Sequence, residues 1–413
     1  MPSLRDAAAQ LNVSRTTVES AYIQLCIEGI AESRPNRGYF ILSAKPTKTQ
    51  EKSSYIAYTP EIKYDFSSRH IDTAYADTEV WRKLIRQVLR DSDVLTSYGD
   101  PQGEIELRQA LAAYSYKARG VAATADNIVI GAGIGPLLNI LCGIMGRDIT
   151  VGIEGGSFKE AQSIFGDYGI GSKELKSDAD GVDVRQLYSE NINVLFLVPS
   201  SFSKISINGI ARRRTELAEW LNKDKSRIVI EDDYNGELRY TARSLPAFQS
   251  KVAESCVYIG SFSKLLLPSV RIAYMVLPSE FSKAFNERKR FYNQTCGKTE
   301  QLALAEYIKS GALEKHLRKL RRLYYAKSQL LCREIRENIP DVKKVVLYET
   351  SLTVELKTNL KENSEEICKR ALCKGIKLIP GDNAGDIRLC FAGISEGDIP
   401  AAVKCLAEVI GKN

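Results

Sequence analysis

Histidine is nearly missing from this 413-residue chain, with His70 and His316 the only two. With so few imidazoles, no metal site is expected. The nine cysteines (Cys26, Cys142, Cys256, Cys296, Cys332, Cys368, Cys373, Cys390 and Cys405) show no CxxC spacing. Their odd number and scatter read as reduced thiols, not as a zinc site or a disulfide framework. Also lacking is any apolar run long enough to span a bilayer. The first residues, MPSLRDAAAQ, lack the basic-then-apolar order of a secretory signal, so a cytoplasmic protein is expected.

What is present is an ordinary globular composition, 44% hydrophobic and 26% charged. Its length exceeds what one hydrophobic core usually supports, so two or three domains are expected. The formal charge of +7 suits a protein that meets polyanions, but it suits many enzymes as well. Residues 1 to 52 hold seven Lys or Arg against five Asp or Glu, a net of only +2. A nucleic-acid case must therefore rest on pattern.

Ser3 and Asp6 form a capping-box-like start, and Leu4, Ala7, Ala8 and Leu11 follow as a short apolar stripe at helical spacing. After a turn at Asn12 and Val13, Ser14 can cap a second helix. Its inner face is Val18, Ala21, Tyr22 and Leu25, and Gly29 stops it. A helix, a short turn and a second helix make a helix-turn-helix, in which the start of the second helix meets bases and phosphates. Ser14, Arg15, Thr16 and Thr17 hold those positions. The stretch IAESRPNRGYFI then reads as a two-stranded ribbon about a Pro35-Asn36-Arg37-Gly38 turn, placing Arg34 and Arg37 where a wing could touch phosphate. Small folds of many kinds also contain two short helices and a hairpin. Residues 43 to 60 are polar, carry Lys, Ser, Thr and Pro, and read as a linker between residues 1 to 42 and a domain over 61 to 413.

In that domain, helical stretches such as WRKLIRQVLRD and GEIELRQALAAYSYKARG alternate with apolar runs: NIVIG, ITVGI, NVLFLV, RIVIED, CVYIGS and AYMVL. The alternation predicts an α/β domain on a mostly parallel sheet, with chemistry just beyond the strands' C-terminal ends. A large part is expected over about 80 to 285 and a smaller one from about 300 onward.

After CVYIG stand Ser261, Ser263 and Lys264, with Arg271 seven residues on. A lysine beside a strand end suits Schiff-base chemistry, and two hydroxyls with a guanidinium suit a phosphate; SxSK alone would equally suit a surface lysine. After RIVI stands Glu231-Asp232-Asp233-Tyr234. A carboxylate there can keep a pyridine nitrogen protonated, and Asp232 and Tyr234, two apart, would point one way on an extended strand end. A divalent cation could use the same acids, but no Walker lysine or second acid cluster accompanies them. Gly131 to Pro136 form a glycine-rich turn into a helix start, either a phosphate cradle or an ordinary connection.

LRDAAAQLNVSRTTVESAYIQLCIEGIAESRPNRGYF resembles the winged helix-turn-helix of the GntR class of bacterial regulators. That class carries a further helix ahead of the PS-L-R segment, so a truncated winged domain with part of its core exposed is expected. EDDY, SFSKLLLPSVR and the glycine-rich turn resemble the fold-type I enzymes of the aspartate aminotransferase superfamily, which use pyridoxal 5'-phosphate (PLP), from about Tyr64 to the C-terminus. The pairing of the two, with YGDPQGEIELR and HLRKLRRLYYAK, resembles the MocR-type regulators.

By that resemblance Lys264 carries the cofactor as a Schiff base, Asp232 pairs with its ring nitrogen and Tyr234 with its ring hydroxyl. Ser261, Ser263, Arg271 and the Gly133-Ile134-Gly135 turn would hold its phosphate, and Phe158 would stack on its ring. Tyr98 would reach the phosphate of a second subunit, which implies a homodimer, and Arg388 would grip a ligand carboxylate. The sequence also departs from the pattern. Ile134 replaces a hydroxyl, GGSF replaces Asn-Pro-Gly-Tyr, the segment 198 to 206 lacks the usual Pro-x-Gly, and Glu160 stands where a relative sensing γ-aminobutyrate has arginine. The expected function is a PLP-binding transcriptional regulator that senses an amino-group ligand. A PLP-dependent aminotransferase and a PLP-free scaffold are the alternatives.

Overall fold

In the computed structural model the chain divides into two compact units, Met1–Thr59 and Pro60–Asn413. The described residues are all except 43–60, 68–69, 155–158, 179–180, 200–206, 241–244, 349–350, 382 and 412–413. The linker read at 43 to 60 therefore lies outside them.

In the first unit, the helix Leu4–Leu11 starts where Ser3 Oγ accepts the Asp6 amide at 3.2 Å. Asn12, at φ 52°, ends it. The second helix, Arg15–Ile27, starts where Ser14 Oγ accepts the Thr17 amide at 3.1 Å. The strands Ala31–Arg34 and Gly38–Ile41 pair antiparallel. Between them the Arg37 amide donates to the Arg34 carbonyl at 3.0 Å, with Asn36 at φ 59° behind Pro35, the pattern of a type II turn. Tyr22 meets Tyr39 edge-on, ring centres 5.0 Å apart, and so joins the second helix to the ribbon. The core is small: Ala7, Val18 and Tyr22 are buried, whereas Leu11, Ile27 and Ile41 are 68%, 74% and 71% exposed. Leu11, read from sequence as part of the inner stripe, thus faces outward.

A seven-stranded sheet organises the second unit, in the order Ile128–Gly131, Ala273–Val276, Cys256–Ser261, Ile228–Asp232, Val194–Leu197, Thr150–Glu154, Gly171–Leu175. Ala273–Val276 runs antiparallel to both neighbours and the rest are parallel, so the α/β fold with a mostly parallel sheet is as expected. Helices Ile134–Met145 and Lys159–Asp167 pack on one face, over Val129, Ile228, Ile230, Val257 and Ile259. The long helix Ala312–Asn338 leads to a four-stranded antiparallel sheet, ordered Val342–Tyr348, Thr353–Thr358, Ile387–Cys390, Ile379–Pro380. The helix is tied to the segment around Asp72 by Lys327, wholly buried, whose Nζ donates to Asp72 Oδ2 at 2.7 Å. No described helix is long and apolar enough to cross a membrane.

Candidate functional site

Three acids in a row end the central strand, and their partners separate them. Glu231 accepts the amides of Phe248 and Gln249, both at 2.8 Å, and so holds the next turn in place. Asp233 meets Arg119 Nε at 2.7 Å and accepts Tyr258 Oη at 3.1 Å, on the opposite face from the helix-covered cluster. Asp232 alternates with Ile228 and Ile230, so it belongs to the face under helices Ile134–Met145 and Lys159–Asp167. It is 5% exposed, and its carboxyl group has no hydrogen bond among the described residues. Burial, and behind it the charge of Asp233, pushes its carboxyl up to about 8.

The strand stops at Asp232, so Tyr234 sits in a turn and not on an extended strand end. Strand parity therefore does not place Tyr234. It nevertheless packs against the same cluster as Ile228 and Ile230.

On the neighbouring strand Val257, Ile259 and Ser261 share that face, in register with Asp232 through Ile259. Ser261 Oγ lies 3.3 Å from Ser263 Oγ and accepts the Ser263 amide at 3.3 Å. Lys264 is half-buried in the turn that follows. Arg271, just beyond, holds φ 53°, an uncommon conformation for a residue with a side chain. Its guanidinium has no ion pair among the described residues. It lies against the start of helix Ile134–Met145, where a Cβ on Gly133 would stand 2.7 Å from Arg271 Nη2. Gly133, at φ 96°, caps that helix with no side chain, which leaves the amides of Ile134 and Gly135 at a dipole-positive end.

Pyridoxal phosphate suits this set of groups. A buried carboxylate without a cation calls for a protonated ring nitrogen, and a glycine-capped helix start beside an unpaired guanidinium and two hydroxyls calls for a phosphate.

The remaining sequence-predicted residues are dispersed. Phe158 lies outside the described residues, as does most of the altered loop, 200 to 206. Glu160 is exposed at the start of Lys159–Asp167. Tyr98 is fully exposed. Arg388, on Ile387–Cys390, stands 3.4 Å through Nε from Glu355 Oε1 on the adjacent strand. Sequence reading missed that partner, as it missed Arg119. Nothing local marks either, since the pairs are 33 and 114 residues apart.

In the first unit Arg15, Thr16, Arg34 and Arg37 are exposed. The hydroxyls of Ser14 and Thr17 are 2.8 Å apart and occupy each other, and Arg34 is paired with Glu32 and stacked on Phe40, 4.7 Å from its ring centre. Of the DNA-contacting residues expected from sequence, that leaves Arg15, Thr16 and Arg37 without a side-chain partner among the described residues.

Residues 63–406 match the model of aminotransferase class I and II, and residues 1–41 match that of the bacterial regulatory proteins of the gntR family. YdeL of Bacillus subtilis, an HTH-type transcriptional regulator, is 32% identical over 98% of this chain and 91% of its own length. PdxR of Corynebacterium glutamicum, an HTH-type pyridoxine biosynthesis transcriptional regulator, is 28% identical over 78% of this chain and 71% of its own. Among solved structures, the kynurenine aminotransferase of Pyrococcus horikoshii superposes with a TM-score of 0.73 at 24% identity, covering 86% of this chain and 91% of that one. The chain therefore belongs to the aminotransferase class I and II family and, with its GntR-class domain, to the MocR-type transcriptional regulators, whose larger domain has a PLP-dependent fold.

Proposed function

We propose that this regulator senses an amino-group ligand at Lys264 and converts its binding into a change in how a cytoplasmic homodimer holds DNA. One observation supports the reading: a helix-turn-helix with Arg15 and Thr16 exposed shares a chain with a domain in which Asp232 ends one strand and Ser261, Lys264 and Arg271 lie at or beyond the end of its parallel neighbour.

Bound PLP supplies an electrophilic carbon toward primary amines and an electron-withdrawing ring. Asp232 holds the proton on the ring nitrogen, and Tyr234 donates to the ring hydroxyl. Ser261, Ser263, Arg271 and the Ile134 and Gly135 amides hold the phosphate at the helix end left uncapped by Gly133. Lys264 Nζ is the amine with which the ligand's amino group competes. Arg388 faces the ligand's carboxylate, and the fully exposed Tyr98 serves the second subunit's phosphate. For coupling, it is enough that the ligand binds two conformations of the dimer unequally.

The retention of Lys264, Asp232 and Tyr234 favours a second reading, an aminotransferase in which Lys264 moves a proton at the ligand's α-carbon. Gel-shift titration of the cofactor-loaded chain on DNA from its own upstream region, with and without amino acids, separates the two. Amino-acid-dependent binding that Lys264→Ala abolishes, together with the visible absorption of lysine-linked cofactor, supports the sensor. Rapid keto-acid formation with no effect on DNA supports the enzyme.

A further inference from the structure

The helix Ala312–Asn338 buries Leu313, Leu317, Leu320 and Tyr324 on its inner side. Its outer side shows Lys315, Arg318, Lys319 and Arg322, all four exposed, at the i, i+3, i+4, i+7 spacing of one helical face. A solvated face ordinarily alternates acids and bases at these spacings, because like charges there destabilise the helix. Here every neighbour pair on the stripe is like-charged, and Lys315, Arg318 and Arg322 have no ion pair among the described residues.

Grooves flank the stripe on both sides, and Arg318 and Arg322 line both. The first, about 1080 Å³, adds Lys117, Arg239 and Arg321. Of its acids, Glu314 is held by Lys117 at 2.7 Å and Glu237 is buried beneath it. The second, about 780 Å³, adds Lys315 and Lys319. Its acids are Asp77, which accepts Tyr307 Oη at 2.6 Å, and the exposed Glu396. Lysines and arginines therefore outnumber acids on both sides of one ridge. A compact phosphorylated ligand would fill one groove and leave the other's cations unmatched, whereas an extended polyanion would match both. From 315 to 322 the helix rises about 10 Å, a length over which duplex DNA carries about six phosphates.

We propose that this ridge is a second DNA-contacting surface, one that grips the phosphate backbone and reads no bases. The inference rests on the DNA-binding reading of the first unit and assigns part of the affinity to the aminotransferase-like unit.

The test uses the full-length, cofactor-loaded protein. Its affinity for a duplex from its own upstream region, and for an unrelated duplex of equal length, is measured against salt. The comparison is with a variant combining Lys315→Ala, Arg318→Ala, Lys319→Ala and Arg322→Ala. Each lost phosphate contact lowers the slope of log affinity against log salt by about 0.9, so a drop of roughly two to four is expected. Both duplexes should weaken by the same factor, with their ratio unchanged. Lys315→Arg with Lys319→Arg should keep the wild-type slope, and an unaltered cofactor spectrum shows that the fold stands. An unchanged slope and affinity in the four-fold variant overturns the inference and leaves the winged unit as the DNA-binding element. An unchanged slope accompanied by lost thermal stabilisation by inorganic phosphate assigns the grooves to a compact phosphorylated ligand instead. Failure of the wild type to bind either duplex overturns the DNA-binding reading itself, and this inference with it.

Discussion

Arg119 and Asp233 meet 2.7 Å apart with side chains only 6% and 1% exposed, and Tyr258 Oη adds a 3.1 Å hydrogen bond to the same carboxylate oxygen. The pairing fixes which of two adjacent aspartates lies on the face under helices Ile134–Met145 and Lys159–Asp167. Asp233 is committed beneath the sheet, so Asp232 alone is left at the strand end.

Removing the cation should expose that dependence. Arg119→Met leaves Asp233 as a buried, unpaired charge, a change that typically costs about 3–5 kcal/mol. Urea unfolding of the cofactor-free protein should show a loss of this order, and adding Asp233→Asn should recover part of it. A loss within about 0.5 kcal/mol, the size of an ordinary surface substitution, would mean that the pair does not hold this turn.

The carboxyl of Asp232 gives a pH signature. Its folded-state value, about 8, lies above the ordinary 3.8 because of burial and then Asp233. The folded state therefore keeps a proton that the unfolded chain releases, and this contribution to stability is full below pH about 4 and is lost as pH rises through about 8. Glu231 and Glu237, each pushed up to about 7 by burial first, add dependence of the same sign. Asp232→Asn should flatten the fall in urea midpoint across that window relative to wild type. Parallel curves would show that Asp232 ionises freely in the fold.

The outline of this site was legible in the sequence because strand ends and the residues just beyond them are local features. RIVI and CVYIG are continuous apolar runs, and placing them side by side in a parallel sheet puts Asp232 and Ser261 on one face. What could not be read depends on distant chain. Arg119 finds Asp233, and Glu355 finds Arg388, only through tertiary packing. The antiparallel run of Ala273–Val276 follows from the chain turning back between Ser261 and Ala273, not from its own pattern. Tyr234 escaped the parity argument because the strand turns after Asp232, and the spacing of Leu11 could not reveal that its side of the helix stays uncovered.

Gly133 tests the phosphate cradle. Its φ is 96°, and an added methyl would stand 2.7 Å from Arg271 Nη2, so Gly133→Ala brings backbone strain and pushes the Arg271 guanidinium away from the helix start. A charge-assisted hydrogen bond of the kind Arg271 would lose is worth about 1.5–3 kcal/mol, so PLP affinity should fall roughly ten-fold or more in a spectroscopic titration. Wild-type affinity would place the phosphate elsewhere.

Arg15 tests the winged unit. Because Ser14 and Thr17 occupy each other's hydroxyls, Arg15 is the exposed cation at the start of the second helix. Arg15→Ala should weaken binding to the upstream duplex and reduce the salt slope by about one, the share of a single phosphate. Undiminished binding would remove Arg15 from the interface.

Arg388 tests how a carboxylate is recognised. Its Nε stands 3.4 Å from Glu355 Oε1, and Glu355 also meets Lys357 Nζ at 3.2 Å and accepts Tyr348 Oη at 2.9 Å. A ligand carboxylate at Arg388 must therefore compete with one the protein already supplies. Glu355→Gln weakens the competitor while Lys357 keeps Asp386 at 2.8 Å. A partly exposed ion pair is worth about 0.2–1 kcal/mol, so the variant should bind an amino acid roughly two- to five-fold more tightly. Its decarboxylated amine should bind as before, since it has no group for Arg388. Equal shifts for both ligands would show that Glu355 acts on the site as a whole, and no shift for either would place Arg388 outside the ligand's reach.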